Sequence, residues 1–169
     1  SALFSAAAGL KSTRTDCRFY LRLDCTMTQK KPIKVVCFDL DDTLWPFEPV
    51  IRHANTVMVD WLQAHYPKAL DYYNLESVPH LRAQILEERP ELVHNVSEFR
   101  KAMLSYAADA AGYSQDMVEP AFEAMLEARQ RVTLYTDVLP VLGRLAQTHK
   151  LCSLTNGNAD VHRTGLGHV

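Results

Sequence analysis

The chain has 169 residues, 47% of them hydrophobic and 22% charged, with a net charge of −2. That supports one core with a subdomain and gives no polyanion-binding footprint, so nucleic acid is not an expected partner. No apolar run approaches the ~20 residues that span a bilayer, so a membrane is not an expected partner either.

Residues 1–26 read differently from the rest. The stretch Ser1 to Leu10 is mildly apolar but lacks the basic start and long apolar run of a signal peptide. Met27 to Pro32, followed by a strand, looks like a natural start. Residues 1–26 are therefore expected to be a mobile leader or upstream extension. The alternative is that Phe19, Tyr20, Leu21 and Leu23 cover otherwise exposed apolar surface.

From Ile33 to Phe38 the chain is apolar and β-forming, then stops abruptly at Asp39-Leu40-Asp41-Asp42-Thr43-Leu44. The same form recurs late in the chain, where Leu151-Cys152-Ser153-Leu154 runs into Thr155-Asn156-Gly157. Such runs predict buried parallel strands whose C-terminal ends open on a site. Asp39 and Asp41 are two residues apart, on the same side of an extended chain. Two carboxylates so placed can divide attack and proton transfer between them. Taken alone, they could equally be a helix cap and a solvated turn.

Between the strands the pattern is helical. Trp45-Pro46-Phe47-Glu48-Pro49 breaks the chain, and Val50 to His65 carries an apolar stripe through Ala54, Val57, Met58, Trp61 and Leu62. A second helix is predicted over 75–88 and a third from about Ser97 to Ala111, closing at Gly112. A fourth, capped by Ser114, runs to about Arg131. Val132 to Tyr135 returns to the core, and Thr136 or Asp137 caps a helix with the stripe Val138, Val141, Leu142 and Leu145. The four cysteines show no metal or disulfide spacing. Cys37 and Cys152, inside the two strands, are expected to be buried free thiols in a reducing cytosol.

The first strand and Asp39-Leu40-Asp41-Asp42-Thr43 resemble the D-x-D-x-T motif of the haloacid dehalogenase (HAD) superfamily, and Thr155 resembles its second motif. The resemblance runs from about Lys34 to the end of the chain. It implies an α/β fold, a Rossmann-like HAD core with an inserted four-helix cap of the C1 type. The corresponding division is a leader over 1–26, core over 27–46 and 132–169, and cap over 47–131. By composition alone the insertion is only a helical bundle.

The resemblance also implies roles. Asp39 becomes the nucleophile that forms an aspartyl-phosphate, and Asp41 the acid and base that protonates the leaving alcohol and then activates water. A carboxylate at Asp41 favours a phosphatase over a dehalogenase. Asp42 orients the loop, while Thr43 either hydrogen-bonds near Asp41 or simply stabilises the turn. The Thr155 hydroxyl and the Asn156 backbone N–H would bind a phosphoryl oxygen; Asn156 and Gly157 read otherwise as turn residues. Mg²⁺ would take the Asp39 carboxylate and the Asp41 backbone carbonyl.

Two further family motifs, a Lys and a distal acidic pair, do not occur before Val169. The resemblance therefore implies a C-terminally truncated core with weak or lost Mg²⁺ binding and a depressed rate. His162, Arg163 and Arg52 are the candidate replacement cations, each also readable as an ordinary surface residue; Lys150 lies at the wrong end of its strand. A first strand left with an open edge predicts a homodimer or higher homo-oligomer. The expected activity is hydrolysis of a small phosphorylated metabolite in the cytoplasm. Thr155 to Ala159 with Gly165-Leu166-Gly167 is similar to bacterial phosphatases acting on flavin precursors, FMN or nucleotides. The alternatives are a catalytically inactive, self-associating helical module and metal-free hydrolysis of other activated esters.

Overall fold

A computed structural model of the protein describes residues 32–74 and 76–167. The leader expected over 1–26 lies outside the described residues. Strand β1 (Val35–Phe38) pairs in parallel with β2 (Lys150–Ser153), Val36 opposite Leu151 and Cys37 opposite Cys152. Parallel pairing requires a crossover, and here it includes five α-helices. The architecture is thus α/β, with a small parallel sheet and a helical insertion.

Helix α1 (Phe47–His65) starts three residues before the predicted Val50, because the Asp42 carboxylate accepts the Phe47 N–H at 2.8 Å and Pro49 is tolerated in a first turn. Helix α2 covers Ser77–Glu88 and α3 covers Val96–Ala111. Asn95 caps α3 by accepting the Glu98 N–H, and Gly112 ends it in the left-handed region at φ 72°. The Ser114 cap serves a single 3-10 turn, Gln115–Met117, and α4 follows over Val118–Arg129. Helix α5 (Val138–Leu145) then leads into β2.

Two apolar clusters form. The larger lies among α1 to α4, around Met58, Leu62, Leu104, Met117 and Met125, all buried. The smaller lies at the sheet, where Leu40, Leu44, Trp45, Val50, Val138, Leu142 and Leu166 meet. Among the described residues no helix is long and apolar enough to cross a membrane.

One expectation is corrected. The strands are not buried: Val35 and Cys37 are exposed, Val36 and Phe38 are half-buried, and of β2 only Leu151 is half-buried. Cys37 and Cys152 are free and exposed, their sulfurs 2.7 Å apart. The physical reason is that a two-stranded sheet offers little side-chain cover of its own, and the smaller cluster packs against one face only, through Phe38 and Leu151, while Val35, Cys37 and Cys152 point to the other.

Candidate functional site

The site begins where β1 stops. Leu40 is buried between Asp39 and Asp41 and anchors both. A tight turn follows, with the Thr43 and Leu44 N–H groups donating to the Leu40 carbonyl and the Asp42 N–H to the Trp45 carbonyl. Asp42 takes φ 55°, a left-handed value that aspartate tolerates better than most residues. Its cap on α1 ties this turn to the helix. The orienting role expected for Asp42 is what the geometry provides.

Asp39 is exposed, and its carboxylate accepts the N–H of Leu40 at 2.8 Å. Asp41 is held far more firmly. Its Oδ1 accepts the indole N–H of the fully buried Trp45 at 2.9 Å, and both its oxygens accept from Arg129 Nη2, at 2.7 and 2.5 Å. Arg129 is the last residue of α4 and is 1% exposed. Its guanidinium lies 5.8 Å from the centre of the Phe47 ring, at the limit of a cation–π contact. Its Nη1 is buried and has no hydrogen-bond partner among the described residues.

The second strand brings Thr155, Asn156 and Gly157 to the same place. The Thr155 hydroxyl accepts the Gly157 N–H at 3.1 Å. A Cβ on Gly157 would stand 2.9 Å from Asp41 Oδ2, 3.5 Å from Thr155 Oγ1 and 3.7 Å from Arg129 Nη2. Gly157 is therefore more than the turn residue expected: it marks the point on which carboxylate, hydroxyl and guanidinium converge. The following loop is fixed by Gln130, which is buried and donates to the Asn158 carbonyl while accepting the Asp160 N–H. Asn158 donates in turn to the Ser97 hydroxyl at the start of α3.

Arg129, Asn156, Gly157 and Asn158 line a cavity of about 700 Å³ that extends between α1, α2 and α3. Phe47, Tyr73 and Phe99 give it aromatic walls. Arg100 donates there to Asn55 and to the Tyr73 hydroxyl. Burial pushes the Tyr73 phenol above its ordinary value, with Arg100 acting in the opposite direction.

Not every expected residue joins the site. Thr43 is exposed in the turn, where its backbone N–H is engaged. Asn156 is exposed at the cavity mouth. Arg52 pairs with Glu48 on the surface of α1, and Arg163 with Glu123 and Glu127 on α4. The cation at Asp41 is instead Arg129, which the sequence reading passed over. Its signal was legible: Phe122, Met125 and Arg129 fall three and four residues apart on the buried face of α4, so a charge sits in an apolar stripe.

The described residues do not make a complete magnesium site. The Asp39 carboxylate and the Asp41 backbone carbonyl are two oxygens where Mg²⁺ wants an octahedron, and no cluster of three acidic, His or Cys side chains occurs among the described residues. The Asp41 carboxylate is meanwhile occupied by a guanidinium.

Comparison with known proteins fits this geometry. The family model for haloacid dehalogenase-like hydrolases matches residues 33–167. The chain is 30% identical, over 139 residues, to 5-amino-6-(5-phospho-D-ribitylamino)uracil phosphatase YigB of Escherichia coli (strain K12), covering 80% of this chain and 58% of that protein. It is also similar to the crystal structure of 2-haloacid dehalogenase from Pseudomonas syringae pv. Tomato DC3000, with a TM-score of 0.74 and 39% identity over 81% of this chain and 61% of that one. This chain therefore spans less than two thirds of the length of either relative.

Proposed function

The chain belongs to the haloacid dehalogenase-like hydrolases, and on that footing we propose that it acts as a phosphatase on small phosphomonoesters. The observation that carries this reading is the convergence of Asp41, Thr155 and Arg129 on Gly157, beside the exposed Asp39. An Asp39 oxygen attacks phosphorus, the bond from phosphorus to the substrate's alcohol oxygen breaks, and the alcohol leaves with a proton from Asp41. Asp41, now a carboxylate, takes a proton from water. The hydroxide attacks the same phosphorus, the bond to Asp39 breaks, and inorganic phosphate departs with both carboxyl groups restored. The Thr155 hydroxyl donates to a phosphoryl oxygen through both displacements.

The relative named as a phosphatase supports this assignment and suggests a sugar-alcohol phosphate joined to a heterocycle as substrate class. The aromatic walls and amide groups of the cavity suit such a leaving group. The relative solved as a 2-haloacid dehalogenase favours a second reading, carbon–halogen cleavage by Asp39. A halide leaves without a proton, however, whereas an alkoxide needs one, so the general-acid role of Asp41 has a use only with the alkoxide. The inactive-module alternative draws no support from these relatives.

Phosphate release from an aryl phosphate, measured beside chloride release from 2-chloropropionate, decides between the readings. We expect phosphate release by the parent chain, loss of that release in Asp39→Asn, and no chloride. Chloride without phosphate would replace the proposal with the dehalogenase, and neither product would remove both.

A further inference from the structure

We propose that Arg129 is the anion-binding residue of this site, held on Asp41 in the free protein and transferred to the phosphoryl group when substrate arrives. The inference rests on the phosphatase reading for its ligand but not for its geometry. Three features carry it. Arg129 engages Asp41 through Nη2 alone, although a guanidinium presents five donors in a planar fork. Its Nη1 is buried and unpartnered among the described residues, a state that buried charged donors rarely keep. And Nη2 stands 3.7 Å from the point where the Thr155 hydroxyl also converges, at the wall of a cavity large enough for a substrate.

The exchange answers a chemical difficulty. Asp41 cannot deliver a proton to a leaving group while both its oxygens accept from a guanidinium. A phosphoryl group offers the same fork-shaped acceptor geometry with more charge. Its arrival draws Arg129 off Asp41, gives Nη1 a partner, and leaves Asp41 on Trp45 alone, free to exchange protons with substrate and water. No bond is made or broken in this step; two hydrogen bonds to a carboxylate become hydrogen bonds to phosphoryl oxygens.

Trp45 is the reporter, because its indole donates to the same Asp41 oxygen. With Trp61 replaced by Phe, Trp45 is the remaining one of the two tryptophans. Titration with inorganic phosphate, the reaction's product, is expected to change its emission saturably in Trp61→Phe. Adding Arg129→Gln should raise the half-saturating phosphate concentration at least tenfold, and Arg129→Lys several-fold. Adding Asp41→Asn, which weakens the competing partner, should lower it. That opposite direction separates anion exchange from simple loss of folding. Equal binding by Arg129→Gln, weaker binding by Asp41→Asn, or no response in the Trp61→Phe parent would each overturn the proposal. A response to acetate but not phosphate would overturn it too, assigning Arg129 to a carboxylate ligand. If binding depends on Arg129 but Asp39→Asn still hydrolyses aryl phosphate, the catalytic reading fails and the anion site stands.

Discussion

Asp41→Ala and Arg129→Met remove the two halves of one ion pair, and the structure gives them unequal consequences. The Arg129 side chain is 1% exposed and that of Asp41 is 19% exposed. Asp41→Ala strands a guanidinium in the interior with Nη1 already unpartnered, and breaking a buried pair from that side costs about 3–5 kcal/mol. Arg129→Met leaves a carboxylate that keeps the Trp45 N–H and reaches water, for about 1–3 kcal/mol. Because the stranded charge is the dominant penalty, Asp41→Ala/Arg129→Met should be more stable than Asp41→Ala alone. Urea denaturation of the four proteins, with unchanged m-values as the check on two-state behaviour, reads these differences directly. If Arg129→Met proves the more damaging single change, or the two effects simply add in the double variant, the reasoning is refuted.

Three other outcomes follow from the same geometry. Gly157→Ala puts a methyl group 2.9 Å from Asp41 Oδ2, the oxygen that Arg129 holds at 2.5 Å, so we expect a loss of about 1–3 kcal/mol and a fall in activity; a variant matching the parent in both would show that Asp41 gives way freely. Arg163→Ala breaks two pairs with glutamates that are 59% exposed, and should change the urea midpoint by less than about 1 kcal/mol of stability, an effect further reduced in high salt. For Tyr73 the folded-state value lies above the unfolded one, so its contribution is full below pH ~10 and is lost as pH rises through the folded value. Parent and Tyr73→Phe should therefore diverge in stability above pH ~10, the parent falling faster; parallel curves would contradict the burial of that phenol.

The order of elements was legible because each carried a local signal. The α1, α3 and α5 stripes, Gly112 and the two strands that end in polar residues were all visible in the sequence. What escaped were relations between distant residues. Arg129 lies 88 positions from Asp41, and its significance comes from α4 ending beside the β1 turn, which no local pattern encodes. Gly157 read as a turn because its role is the absence of a side chain among three polar groups rather than an unusual φ. The exposure of Cys37 and Cys152 was missed for a related reason. An apolar run predicts a strand, but what covers the strand is set by tertiary packing.

The most direct test of the account is to find where phosphate becomes attached during turnover. The chain is mixed with an aryl phosphate, quenched in acid within the first turnovers, digested, and its phosphorylated peptide located by mass. We expect the phosphoryl group on the peptide containing Asp39, and none in Asp39→Asn. Turnover with no covalent phosphate at Asp39, or with phosphate on another residue, would contradict the nucleophilic role on which the mechanism rests.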